Sequence, residues 1–196
     1  PTVDFMPDLL NFMAHFRDTN LALGKAFGKE EQAKAALAKV DRNVEELHRI
    51  NDGKTAAMLF TVKDTIVPHA PGDRYGYAYE MAGLKSVLPA TDPNAPAQPR
   101  PEPGSPEAKA AAEKRARILA DIAAAEPDWL IVLDRGAING AERTAAATLE
   151  KHPQLGQTRA FKEGRVVYVD PNGWYLIGGG LNNMLALTEE MLAAMK

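Results

Sequence analysis

The stretch Ala56-Ala57-Met58-Leu59-Phe60-Thr61-Val62 is apolar at every position but Thr61, and its continuity decides the fold class. A strand with one wet face alternates apolar and polar residues, whereas an unbroken run belongs to a strand covered on both faces. Two more such runs follow, Trp129-Leu130-Ile131-Val132-Leu133 and Val166-Val167-Tyr168-Val169. Helical patterns separate them: an Ala-rich segment from about Pro106 to Ala125, another near Ala141 to Lys151, and a closing one from Leu181 to Met195. Strands alternating with helices specify an α/β fold, here a three-layer, Rossmann-like lobe with a mainly parallel sheet.

Two helices are expected ahead of that lobe. From Asp8 to Phe27 the residues Leu9, Met13, Phe16, Leu23 and Phe27 recur at helical spacing, and Gly28 is placed to end the run. From Glu30 to Ile50 the residues Ala33, Leu37, Val40, Val44 and Leu47 step by four and three, a narrow stripe that suits a long helix laid along a domain. The turn Asn51-Asp52-Gly53 closes it. Between Pro89 and Pro106 lie seven of the 14 prolines, so neither helix nor sheet is expected to run through that segment.

Composition excludes several function classes. The 196 residues carry 45% hydrophobic and 25% charged side chains, an ordinary globular balance, and 23 Lys and Arg against 26 Asp and Glu give a net charge of −3. Without a basic excess the chain lacks the electrostatic footprint of a nucleic-acid binder, and nucleic acid is not expected as a partner. There is no cysteine, hence no disulfide framework, thiolate metal site or Cys nucleophile. No apolar run approaches the ~20 residues that span a bilayer. His15, His48, His69 and His152 lack paired metal-ligand spacing and read as surface or core residues. Ser86 and Ser105 sit in no nucleophile elbow. Gly178-Gly179-Gly180 is followed by no Lys-Ser/Thr and reads as a tight turn or close-packing element.

Ligands of open α/β sheets bind outside the carboxyl ends of the strands. There the sequence places Pro71-Gly72-Asp73-Arg74-Tyr75-Gly76 after the first strand, Asp134-Arg135-Gly136 after the second and Pro171-Asn172-Gly173-Trp174-Tyr175 after the third. Guanidinium groups are permanently charged and forked, which suits flat delocalised anions, and a phenol can donate, stack or, as phenolate, bind a hard metal ion. Arg74, Arg135 and Tyr175 thus point to an anionic ligand. Each also has a structural reading: Arg74 as a solvated turn residue, Arg135 as a partner of Asp134 or a helix cap, Tyr175 as packing.

Four stretches, taken together, resemble a known family: Asn11-Phe12-Met13 through Leu23-Gly24-Lys25-Ala26-Phe27-Gly28-Lys29-Glu30; Gly72-Asp73-Arg74-Tyr75-Gly76; Pro127-Asp128-Trp129 through Asp134-Arg135-Gly136; and Trp174-Tyr175-Leu176-Ile177-Gly178-Gly179-Gly180. Their order and spacing resemble the iron-siderophore binding proteins of ABC importers, two α/β lobes joined by a long helix, in the branch that takes catecholate siderophores of the petrobactin and enterobactin type. The resemblance implies a binding protein and not an enzyme. Arg74 and Arg135 would neutralise a ferric catecholate, Tyr175 would face the cleft and in some members bind iron, and Tyr75 and Trp174 would belong to the same ligand-binding set. No cofactor is implied.

It further implies a division into residues 1–28, normally packed near an amino-terminal lobe, a bridging helix over 29–52, and a carboxyl-terminal lobe over 53–196 with the Pro-rich loop at 89–106. That amino-terminal lobe would supply a third arginine. Pro1-Thr2-Val3-Asp4 would then follow a lobe lacking here, leaving Leu9, Met13, Phe16 and Phe27 without cover and favouring a homodimer through the amino-terminal helices. The expected partners are the iron-siderophore and an inner-membrane permease, in a periplasmic or membrane-anchored extracytoplasmic location. The family's histidine has no counterpart in the Pro-rich stretch and its permease-docking Glu aligns near Ala120-Asp121, so neither role is carried over. Two alternatives remain open, a small α/β enzyme or binding domain for phosphate or carboxylate ligands, and a helical self-association module.

Overall fold

A computed structural model describes residues 7–96, 99, 101–177 and 179–196. The chain runs α1 (Phe12–Ala26), α2 (Glu30–Ile50), β1 (Thr55–Val62), β2 (Thr65–His69), α3 (Tyr77–Ala82), β3 (Lys85–Ser86), α4 (Pro106–Ala124), β4 (Trp129–Asp134), α5 (Ala145–Lys151), α6 (Arg159–Lys162), β5 (Val166–Val169) and α7 (Leu181–Met195). β4 is buried at every position because it lies between β1 and β5, parallel to both, with helices over each face.

Side chains alternate across the sheet and so divide the core. Met58, Ile131, Leu133 and Val167 point to a layer made by α1, α2, α3 and α7, which contributes Phe16, Leu37, Val40, Leu47, Met184 and Met191. Ala57, Leu59, Leu130 and Val132 point to the opposite layer, where Leu119 and Ile122 of α4, Leu149 of α5 and Ala160 of α6 meet them. The expected three-layer α/β architecture is therefore present, and α2 spans the residues read for it. Asn43 on that helix donates to Thr188 Oγ1 on α7 at 3.0 Å, fastening the two.

Three expectations need correction. β1 is followed by a hairpin: Lys63, at φ 52, and Asp64 turn the chain back so that β2 pairs antiparallel, Val62 opposite Thr65 and Met58 opposite His69. Pro71–Gly76 therefore follows an antiparallel edge strand, not the first parallel strand. Helix α1 begins at Phe12 and not at Asp8, whose carboxylate accepts the N–H groups of Leu10 and Asn11 at 3.0 and 3.1 Å in a turn before it. Met13 and Phe16 were expected to lose their cover, yet they are only 6% and 7% exposed, packed in the core beneath α1, while Phe27 is 75% exposed. The apolar patch invoked for a homodimer through these helices is correspondingly smaller than the sequence suggests. Ser105 caps α4, accepting the Ala108 N–H at 3.1 Å with Pro106 at the first helical position, and so ends the Pro-rich segment.

Candidate functional site

Three loops bring the candidate residues together, and a buried or half-buried carboxylate holds each loop. In the first, Asp73 accepts the N–H of Ala70 at 2.8 Å and of Tyr75 at 3.1 Å, folding the chain into a tight turn that projects Arg74. Gly72 takes φ 88 there, and a side chain on it would strike the carbonyl of Thr91. In the second, Asp134, 4% exposed, accepts from Gly136 N–H at 2.9 Å and from Thr144 and Ala145 N–H at 2.6 and 2.9 Å. Its charge is thus spent on backbone donors, including the start of α5, and Arg135 is not its partner.

In the third, residues Asn172–Ile177 form a π-helical turn, a geometry often met at functional sites. Glu190 of α7 accepts the Asp170 N–H at 2.6 Å and the Trp174 indole N–H at 3.2 Å, and Asp170 accepts the Gly173 N–H at 2.7 Å. Burial pushes the Glu190 carboxyl above the usual glutamate range, against the pull of the two N–H donors. The second and third loops are tied together where Asn139 N–H donates to Asn172 Oδ1 at 3.0 Å.

Both arginines converge on Tyr175. Arg74 Nη2 donates to its carbonyl oxygen at 3.1 Å and Arg135 Nε to its hydroxyl oxygen at 3.2 Å. Their guanidinium carbons lie 4.9 and 5.4 Å from the centre of its ring, within cation–π range. Phe60 stacks between Tyr75 and Tyr175, with ring centres 5.7 and 5.9 Å away, and His69 meets Tyr75 edge-on at 4.9 Å. These side chains line an open groove of about 750 Å³, whose wall also carries Lys63, Val67 and Arg115. Among the described residues, four cations face it and no Asp or Glu lines it.

Arg74 and Tyr75 also separate this groove from a second, apolar cavity of about 440 Å³ between α1 and the site, lined by Phe12, Phe16, Leu23, Tyr77 and Trp174 among others. Tyr75 is 3% exposed, its hydroxyl has no hydrogen-bond partner among the described residues, and burial pushes its pKa up to about 12, so it stays a neutral phenol near pH 7. Trp174 is 1% exposed and stacks on Tyr77 with ring centres 5.2 Å apart. It lines the apolar cavity and is not among the residues lining the groove, whereas sequence reading places it in the ligand-binding set.

Of the residues read from sequence, Arg74, Arg135, Tyr175 and Tyr75 share one groove. Phe60, His69, Lys63 and Arg115 belong to it and were not read there. Phe60 hides within the apolar run of β1. Arg115 had a signal: it stands seven residues after Ala108, four before Leu119 and seven before Ile122, on a face where an apolar residue is expected. Among the described residues no cluster of three His, Asp or Glu side chains is placed to hold a metal ion, and no helix is long and apolar enough to cross a membrane.

A profile of the family described as periplasmic binding protein matches residues 1–172. The petrobactin-binding protein YclQ of Bacillus subtilis is 25% identical over 193 residues, spanning 97% of this chain and 55% of YclQ, and its crystal structure superposes with a TM-score of 0.75, covering 100% of this chain and 63% of that one. The ferric-anguibactin-binding protein FatB of Vibrio anguillarum is 25% identical over 204 residues, 98% of this chain and 56% of its own length. The siderophore-binding protein BauB, solved with two acinetobactin molecules and ferric iron, is 22% identical with a TM-score of 0.73 over 100% of this chain and 64% of BauB, a likeness of fold. The chain spans about half the length of the curated relatives it matches.

Proposed function

We propose, from the premise that this chain belongs to the periplasmic binding protein family, that its groove is one wall of a cleft holding an anionic ferric siderophore of the catecholate type for delivery to an ABC-importer permease. The observation that carries the reading is the convergence of Arg74 and Arg135 on Tyr175 in a groove faced by cations and lacking carboxylates. In a chain of net charge −3 such a grouping runs against the overall balance, and it suits a ligand whose negative charge is spread over catecholate oxygens. Phe60 and Tyr175, both half-buried, supply flat faces for the catechol rings, with Tyr75 buried behind Phe60 as their support.

Binding is the whole of the proposed chemistry: charge neutralisation, stacking and shape hold the complex, with no covalent step. Tyr175, whose hydroxyl accepts from Arg135 at the groove, would be the phenol that reaches iron where the ligand leaves a coordination position open. Within the family's two-lobed plan, residues 53–196 would form the carboxyl-terminal lobe, α2 the connection between lobes over 29–52, and 1–28 the contact with the opposite lobe. YclQ is a petrobactin-binding and FatB a ferric-anguibactin-binding protein, which supports a siderophore as the ligand, and the location proposed is extracytoplasmic, as for family members.

The test is titration of the chain with the ferric complex of a synthetic hexadentate tris-catecholamide, followed by quenching of Trp and Tyr fluorescence. Arg74→Ala and Arg135→Ala each remove a charge-assisted contact of about 1.5–3 kcal/mol, so each is expected to weaken binding roughly 10- to 150-fold. Affinity unchanged in both variants would remove the assignment.

A further inference from the structure

We infer that Arg115 of α4, with Lys63 at the β1–β2 turn, sets the charge class of the ligand, making the groove favour a trianionic ferric complex over less charged ones; this rests on the binding role proposed above. The face of α4 that buries Leu119 and Ile122 under the sheet continues one turn earlier to Arg115, where it overhangs edge strand β2 and lines the groove beside Thr65 and Val67. The helix itself offers Arg115 no carboxylate: the residues three and four positions away are Ala111, Ala112, Ile118 and Leu119. Its neighbour Arg117, on the outer face, pairs with Glu113 at 3.7 Å. Lys63 is delivered to the same groove by a turn that holds it at φ 52.

The charge arithmetic of the ligand gives these two cations a role. Ferric iron with three doubly deprotonated catechols carries three negative charges, and with two it carries one. Arg74 and Arg135, two positive charges, already exceed the single negative charge of the second complex and leave the first one charge short. Arg115 and Lys63 supply what the first still needs, and beside a monoanion they are left without an anion as the groove is desolvated, which is unfavourable.

The experiment compares the full chain with Arg115→Gln, Lys63→Gln and Arg74→Gln, each titrated by fluorescence with the ferric complexes of a hexadentate tris-catecholamide and a tetradentate bis-catecholamide. Arg115→Gln is expected to weaken the trianionic complex about tenfold and the monoanionic one less than about threefold, while Arg115→Lys keeps most of the preference. Lys63→Gln, exposed at the turn, acts in the same direction and more weakly. If Arg74→Gln weakens binding and Arg115→Gln does not, or if Arg115→Gln weakens both complexes alike, the inference is overturned and the binding role stands. If Arg74→Gln is also without effect on either complex, the binding role falls with it.

Discussion

Replacing Asp134 by Asn tests the claim that a buried carboxylate, rather than an ion pair, positions Arg135. The carboxylate accepts three backbone N–H groups, from Gly136 on one oxygen and from Thr144 and Ala145 on the other. An amide retains one accepting oxygen, so even its better orientation keeps the Thr144 and Ala145 bonds and turns an NH2 group toward the Gly136 N–H. The loss is one bond to a charged acceptor together with an unsatisfied buried donor, about 3 kcal/mol in all. For a chain of 196 residues that corresponds to a fall of roughly 6–12 °C in Tm. Asp134→Ala, which loses all three acceptors, should fall further. Arg135→Ala is the contrast: its guanidinium is exposed and, among the described residues, makes one hydrogen bond, to Tyr175, so stability should change by less than about 0.5 kcal/mol. Thermal unfolding followed by circular dichroism gives both numbers, and the fluorescence titration of Asp134→Asn should show weaker ferric-complex binding than wild type, because the loop carrying Arg135 has loosened. A Tm for Asp134→Asn within about 2 °C of wild type, or an Arg135→Ala variant that loses as much stability as Asp134→Asn, would refute the reasoning.

Other outcomes follow from the same structure. The Glu190 carboxyl is raised above its ordinary value by burial, so the folded state binds its proton more tightly than the unfolded chain, and stability should fall as pH rises from about 4.5 through that raised value. Asp128 is held low mainly by the Thr55 N–H, with Arg159 assisting, and contributes the opposite slope, lost as pH falls through its depressed value. Urea unfolding across pH 3–7 should therefore show the Glu190 slope vanish in Glu190→Gln and the Asp128 slope vanish in Asp128→Asn. Phe16→Ala should cost about 3–5 kcal/mol, as expected for a buried aromatic, whereas Phe27→Ala, at 75% exposed, should stay within about 0.5 kcal/mol; equal effects would contradict the placement of α1. Tyr175→Phe keeps the ring between the two guanidinium groups but loses the acceptor for Arg135 Nε, so affinity for the ferric tris-catecholamide complex should drop by about 0.5–1.5 kcal/mol, with any iron-phenolate absorbance band lost as well.

What the sequence made legible was periodic. The steps of four and three in α2 and the unbroken apolar runs of β1, β4 and β5 appear in the structure where they were read, because burial on a helix stripe or on two sheet faces leaves a direct mark on residue choice. β2 left none: its turn is Lys63-Asp64, without the Asn-Gly or Gly that usually signals a hairpin, and Pro68 within it reads against a strand although an edge position tolerates it. The start of α1 is later than the period suggests because Leu9 continues a helical spacing that the Asp8 carboxylate interrupts by accepting the Leu10 and Asn11 N–H groups. At the site, the loops after β4 and β5 exposed Arg135 and Tyr175 to inspection, since strand-end loops carry ligands in this architecture, whereas Arg74 reaches the groove from a loop after the antiparallel strand β2. Phe60 and Arg115 were harder: one is an apolar residue within an apolar run, and the other is brought to the groove by the packing of α4 beside β2, a tertiary fact that spacing alone does not encode.

The most direct measurement is a crystal structure of the chain with the ferric tris-catecholamide complex, with iron located by anomalous scattering. The account predicts a single iron peak in the groove, catecholate oxygens about 3 Å from the guanidinium groups of Arg74 and Arg135, and a catechol ring against Tyr175. An iron peak in the apolar cavity beside Phe12 and Leu23, or a ligand that leaves both arginines on Tyr175 untouched, would contradict it.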